Sequence, residues 1–464
     1  MSATFAVVDR TTAHEFLFSR INYERTTQIP YQTGEFKLER MHQLLALLGN
    51  PHLALPAVHL AGTKGKGSTA TMVAQILRSA GYKTGLYTSP HLERLEERFV
   101  VDGQLCSDDE FVRLAADVHA ATVQLETTSP GRSPTFFEIT TAMGMLHFAR
   151  SGVELAVLEV GLGGRLDSTN VCRPLVSVIT SISFDHTKQL GNTLAAIARE
   201  KAGIIKPGIP VVSGVVAAEP REVIAQVAHE VQAPLFQRGR DFDVRLVDGA
   251  KGESASVYYV QGQRELGPLT LGMLGQHQAA NAATAIAAIA HLPRDRYSIG
   301  EPDIRQGLRD ACCPARVQVF ATRPTLVLDV AHNVASIAAL LQTLNEQFAG
   351  RRKVLLFASS RDKDTPGMLQ QLLPAFDHVV LTKYIHNPRA VEPAELLAMA
   401  QAIVSDTPLP VVCQTADHPT AAWQAAHAAA GPNDLIVIAG SFFLAAEVQS
   451  LLPPSGKSQG SLPD

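Results

Sequence analysis

Gly62-Thr63-Lys64-Gly65-Lys66-Gly67-Ser68 sets lysine and hydroxyl side chains inside a glycine-rich turn, between an apolar run and a segment of helical spacing. Glycines let the backbone fold tightly and turn its N–H groups inward, Lys66 supplies a mobile cation, and the following helix adds the dipole of its N-terminus. The chemistry this suggests is the holding of a polyphosphate. The spacing departs from the usual G-x-x-x-x-G-K-[ST], because two residues separate Gly62 from Gly65 and Gly67 stands between Lys66 and Ser68.

Further polar groups follow predicted strands. Ser89, in Thr88-Ser89-Pro90-His91-Leu92, is either a hydroxyl ligand for magnesium or part of a plain turn. Glu159 ends an apolar run and leads into a second glycine turn, Gly161-Leu162-Gly163-Gly164-Arg165-Leu166-Asp167; a carboxylate there suits Mg²⁺, and a solvated acid is the other reading. Asp185-His186 and, fifteen residues on from His186, Lys201 at a helix end could point into a cleft, or serve as a scaffold histidine and a dipole-complementing lysine. Arg316 stands near a predicted domain junction, upstream of Asp329-Val330-Ala331-His332-Asn333. It could reach a polyphosphate from there, or form a surface ion pair.

The elements that must position these groups alternate. Short apolar runs at 84–88, 155–160, 176–180 and 210–213 are interleaved with helical segments at 68–80, 134–149 and 193–202, which predicts a mostly parallel sheet covered on both faces. Hairpin-like runs at 242–246 and 256–260 predict a small β-lobe over about 241–274, and an alanine-rich helix follows at 276–291. A second alternation has runs at 325–330, 353–358, 378–382, 410–414 and 434–439. The expected class is α/β: a P-loop-containing, mostly parallel sheet domain over 1–312 with the β-lobe, a smaller Rossmann-like domain over 313–452, and a disordered tail at 453–464 rich in Pro, Ser and Gly.

Composition narrows the function. A chain of 464 residues that is 46% hydrophobic exceeds one ordinary domain, and a net charge of −4 offers no basic field for nucleic acid or an anionic membrane. Five cysteines without C-x-x-C spacing argue against a disulfide framework or a zinc ribbon and favour a reducing cytoplasm. No signal-like start or membrane-length apolar run is found, so an unprocessed soluble protein acting on small molecules is expected.

The order of these motifs is more telling than any one of them. Together with Phe137-Glu138, Glu200-Lys201-Ala202-Gly203, Gly275-Gln276-His277-Gln278, Asp362-Lys363-Asp364 and Gly440-Ser441, it resembles the folylpolyglutamate synthase family within the Mur-type ATP-dependent amide ligases, from about Phe36 to Glu447. The resemblance implies that Gly62, Thr63, Lys64, Gly65, Lys66, Gly67 and Ser68 hold ATP, with Asn281, Arg316 and Asp329 completing its site. It implies magnesium, two ions being expected, on Ser89, Glu159 and His186, and a carbamylated Lys201 as a carboxylate-like ligand. Phe136, Phe137, Glu138, Leu166, Asp167, Ser168 and His332 match substrate-contacting segments. The chain departs from the pattern at Lys64, where many members carry asparagine, at Cys312-Cys313-Pro314-Ala315-Arg316, which replaces a Trp-Pro-Gly-Arg type of run, and at Val334, where proline is common. The implied activity is ATP-dependent addition of glutamate to a folate through an acyl phosphate, with Lys66, Glu159, His186 and Lys201 as the catalytic set and a monomer as the working unit. Addition of the first glutamate to dihydropteroate, alone or as a second activity, is the nearest alternative, and a catalytically silent nucleotide-binding protein is the alternative of another class.

Overall fold

Uninterrupted apolar runs form the central strands, as expected where helices cover both faces of a parallel sheet. The computed structural model describes residues 6–24, 38–129, 131–247, 256–320, 322–406 and 409–453. Its first sheet comprises β1 (Ala57–Ala61), β2 (Thr84–Tyr87), β3 (Phe99–Val101), β4 (Leu155–Glu159), β5 (Pro174–Ile179), β6 (Val211–Ser213) and β7 (Leu235–Gln237), in the order β3-β2-β4-β1-β5-β6-β7. All neighbours are parallel except β2 and β3. β1 lies at the centre, with His59 opposite both Leu158 and Ser177, and its flanking strands leave in opposite directions along the sheet. That reversal opens a crevice at the carboxyl ends of β1, β4 and β5, where ligands of such sheets bind.

One face of this sheet is buried under helices that include Asp108–Thr128 and Phe136–Arg150. The other is covered by Lys66–Ser79, Gln276–Ala290 and Glu301–Asp310. The helix at Glu301–Asp310, the short strand β3 and the N-terminal helix Arg10–Phe18 are not foreseen from the sequence. The β-lobe is the antiparallel set β8 (Asp243–Val247), β9 (Ser256–Gln261) and β10 (Arg264–Leu269), whose Val257, Tyr259 and Leu269 join the core beneath the helix Gln276–Ala290. Residues 248–255 of the predicted lobe, and the predicted tail apart from Pro453, lie outside the described residues.

The second sheet contains β11 (Gln318–Phe320), β12 (Thr325–Leu328), β13 (Lys353–Phe357), β14 (His378–Leu381), β15 (Val412–Thr415) and β16 (Leu435–Ala439), in the order β11-β12-β16-β13-β14-β15 with only β11 antiparallel. It too is doubly covered. Leu92, from the loop after β2, packs into the second sheet's core, and Gln276 donates to Glu346 at 2.8 Å across the junction. Glu24 makes a further link: its carboxylate receives two bonds from the buried Arg98, at 2.9 and 2.7 Å, while its carbonyl accepts from Asn387 and Arg389. No helix among the described residues is long and apolar enough to cross a membrane.

The helix Lys66–Ser79 is seated by close backbone contact. A methyl group at Gly307 would lie 2.4 Å from the Ile76 Cα, so Gly307→Ala must push the helix Glu301–Asp310 away. We expect a loss of roughly 1–3 kcal/mol in urea unfolding, the usual range for an overpacked interior. Glu24→Ala leaves Arg98 buried without its carboxylate, and a loss of about 3 kcal/mol by the same measurement is expected.

Candidate active site

The turn after β1 is held from outside itself. Thr63 N–H donates to Ser181 O at 2.7 Å, Lys64 N–H donates to Ser181 Oγ at 2.9 Å, and Lys64 O accepts from Thr180 Oγ1 at 2.6 Å. Gly65, at φ +79°, turns the chain into the helix Lys66–Ser79, whose N-terminus has no side-chain cap. Its first N–H groups therefore have no partner within the helix, and they form a ready anion cradle.

Two lysine amino groups meet beside that cradle. Lys66 Nζ and Lys201 Nζ both donate to Gly62 O, at 3.1 and 2.9 Å. Burial pushes Lys201 down to about 7, and the Lys66 charge pushes in the same direction. Near neutral pH much of Lys201 is then a free amine, the form able to add CO₂.

Glu159, buried at the end of β4, accepts from Ser89 N–H at 3.2 Å, and its carboxylate faces the first turn of the loop helix at Gly67. Burial raises its pKa, opposed by Lys66 and Arg316. His186 begins the short helix Thr187–Leu190, and desolvation favours its neutral imidazole. Ser89, Glu159 and His186 thus offer hydroxyl, carboxylate and neutral imidazole. Among the described residues no group of three or more His, Cys, Asp or Glu is arranged to hold a metal by itself.

The second sheet completes the opening. Arg316 lies between Ala315 and Val317, both in the left-handed region at φ 53° and 46°, a strained arrangement that the Asp329 carboxylate supports by accepting from Val317 and Ala331 N–H at 2.7 Å each. Burial raises Asp329, with the Arg316 charge opposing. Asn281 directs Oδ1 at Gly65 and donates to Gln278. His332 Nδ1 lies 2.8 Å from Val330 O. Asp185 pairs with Lys64 at 3.1 Å and with Lys363 at 2.9 Å; although burial opposes it, these cations hold its carboxyl well below the usual carboxylate range.

The residues implied to contact the organic substrate divide. Phe137 packs on Gly161 and, with Leu166, stays partly exposed beside the second glycine turn. Phe136 is buried against Phe18 and Arg98. Glu138 accepts from Thr135 at its own helix N-terminus and pairs with Arg40 at 2.8 Å. Asp167 accepts from the N–H groups of Gly161, Leu162 and Thr169, so it shapes the glycine turn, and Ser168 bonds Thr141. Lys363 and Arg98 also join this region, and sequence reasoning singles out neither by itself; Asp362-Lys363-Asp364 following a strand is the signal available for the first.

Comparison with known proteins shows the family. Residues 60–289 match the Mur ligase middle domain and residues 315–442 the Mur ligase glutamate ligase domain. The dihydrofolate synthase/folylpolyglutamate synthase of Bacillus subtilis is 34% identical over 417 residues, covering 89% of this chain and 94% of that protein. The Escherichia coli FolC structure in complex with DHPP and ADP superimposes with a TM-score of 0.81 at 31% identity, covering 95% of this chain and 97% of that one. A bifunctional folylpolyglutamate synthase/dihydrofolate synthase from Yersinia pestis, complexed with AMPPNP and Mn, gives 0.80 at 29% identity, covering 97% and 99%.

A methyl group at Gly65 would fall 2.3 Å from Asn281 Oδ1 on a backbone that already needs positive φ. Gly65→Ala should raise the Kd for ADP in calorimetric titration by about tenfold or more, in the range of one or two lost polar contacts. Lys201 has a folded-state pKa below its unfolded one, so between about 7 and about 10.4 the unfolded chain binds a proton that the folded chain lacks. Stability should rise with pH across that window in CO₂-depleted buffer, and Lys201→Met should flatten the rise in urea unfolding.

Proposed function

Because the chain belongs to the folylpolyglutamate synthase/dihydrofolate synthase family of Mur-type ligases, we propose that it is an ATP-dependent ligase that adds L-glutamate to a folate, releasing ADP and phosphate. The observation that carries this reading is the convergence of Lys66 and Lys201 on Gly62 O, at an uncapped helix N-terminus facing Glu159. We take residues 1–312 as the ATP-binding part and 313–452 as the part that handles glutamate.

A carboxylate is a poor acyl donor. Its oxygen attacks the γ-phosphorus of ATP, ADP leaves, and the resulting acyl phosphate is attacked by the amine of glutamate, which loses a proton as phosphate departs. The protein supplies position and charge and needs no nucleophile. The helix N-terminus from Gly65 to Ser68 and Lys66 hold the polyphosphate, Arg316 and Asn281 approach it from the other side, and Asp329 keeps Arg316 in place. Phe137 and Leu166 offer an apolar edge for the pterin. His332, at the mouth of the second sheet, is the group we assign to the amino-acid side.

The donor set of Ser89, Glu159 and His186 fits a divalent cation that takes its remaining ligands from nucleotide oxygens, and Lys201 as a carbamate would supply a further oxygen donor for a second ion. Magnesium there would neutralise charge on the phosphates. We take a monomer as the working unit, and five free cysteines support a reducing, cytoplasmic setting.

Purified protein with MgATP and L-glutamate is expected to form ADP and product in a glutamate-dependent manner when offered a reduced folate, with dihydropteroate as the parallel acceptor that tests the first-glutamate activity. Lack of glutamate-dependent ADP with both acceptors would falsify the reading. Lys66→Met should lower kcat by on the order of a hundredfold or more, the scale of losing one preorganised charge on the transferring group. Lys201→Ala should lose most turnover, and full activity in that variant removes the carbamate from the proposal.

A further inference from the structure

Loops from both sheets meet on one carboxylate. Asp185, its side chain 11% exposed, receives Lys64 Nζ on Oδ2 at 3.1 Å and Lys363 Nζ on Oδ1 at 2.9 Å. His332 Nε2 stands 3.9 Å from Oδ2, and His186 Nε2 stands 3.9 Å from Oδ1. Lys64 lies in the phosphate loop after β1, Asp185 in the segment after β5, and Lys363 and His332 in the turns after β13 and β12. Two ion pairs through one side chain therefore join the phosphate loop to the second sheet.

Each end of this path is braced. Lys64 is bound by its backbone to Thr180 and Ser181, in the same segment that carries Asp185, so the phosphate loop and Asp185 form one unit. On the other side, Asp362 pairs with Arg389 at 2.5 Å, and Asp364 caps the helix Thr365–Leu372 through Gly367 N–H at 3.0 Å. The contact left to make between these two rigid turns is Asp185 with Lys363. Two ammonium groups share one acid, so removing the acid leaves like charges facing each other in a poorly hydrated space, where repulsion is strong.

We infer that Asp185 is a positioning residue of the ligase reaction: by holding Lys64 and Lys363 together it docks the second sheet's loops onto the phosphate loop before phosphoryl transfer. The kinetic part of this rests on the function proposed above, and the docking part does not.

The test uses the full chain as wild type, Asp185→Asn, Lys64→Asn, the double variant and Lys363→Met. Small-angle X-ray scattering without substrates reads docking, and steady-state kinetics reads kcat and KM for glutamate. Asp185→Asn should give a larger radius of gyration and a KM for glutamate raised about tenfold, the middle of the range for side chains coupled in one ion network, with kcat less affected. Adding Lys64→Asn should restore part of both losses, because the uncompensated repulsion is gone; a merely structural Asp185 gives losses that add. A scattering curve for Asp185→Asn that superimposes on wild type, or additive losses in the double variant, overturns the inference. Should Asp185→Asn fail to fold, Lys363→Met must show the same expansion and KM shift, and its absence there is equally decisive. If the wild-type chain shows no glutamate-dependent turnover, the ligase reading falls while the scattering comparison still decides docking.

Discussion

Lys64, Lys66, Lys363 and Arg316, with the partly neutral amine of Lys201, crowd the carboxyl edges of two mostly parallel sheets, facing the carboxylates Glu159, Asp185 and Asp329. Such a concentration of positive charge is costly in a partly dry space, and a bound polyphosphate is the natural counter-charge. Much of the surrounding structure can be understood as what holds these cations in place without one. Gly62 O takes the amino groups of Lys66 and Lys201, Asp185 takes two ammonium groups, and Asp329 braces the strained backbone around Arg316. Charge that the protein has already assembled need not be gathered during reaction.

The fold supplies stiffness for this arrangement. β1, β4 and β5 are buried, so their carboxyl ends are fixed points, and the helix Lys66–Ser79 is clamped by its neighbours at backbone distance. The second glycine turn is fastened by Asp167, and the helix Phe136–Arg150 is fastened by Glu138 through a capping box and Arg40. These two acids, matched by family pattern to substrate segments, spend their hydrogen-bonding capacity on the elements that carry Phe137 and Leu166. Their influence on a substrate would run through the position of those side chains.

Much of the site is legible in the amino-acid sequence. Glycine spacing, an apolar run and a helical pattern point to a phosphate loop because each is a local property, and Glu159 and Asp329 can each be placed at the carboxyl end of a strand because they end apolar runs in alternating α/β sequence. Asp185 is visible there only as half of an Asp-His pair. Its partner Lys363 lies 178 residues away, and no local pattern encodes which lysine a carboxylate will meet. Arg98 is silent for a similar reason: an arginine in a charged stretch reads as surface, yet in the fold it is buried between Phe136 and the Glu24 carboxylate.

The α/β class and the strand ends follow from sequence alone, because backbone geometry and hydrophobic period act within a few residues. Which charges share a partner is settled by the folded chain: Lys66 and Lys201 meet on one carbonyl, Lys64 and Lys363 meet on one carboxylate, Glu138 takes its own helix N-terminus and Arg40, and Asp167 takes its own turn. The Asp185–Lys363 pairing depends on the packing of two sheets across a junction, the others depend on how distant segments meet around the first sheet, and burial there shifts the protonation of Lys201.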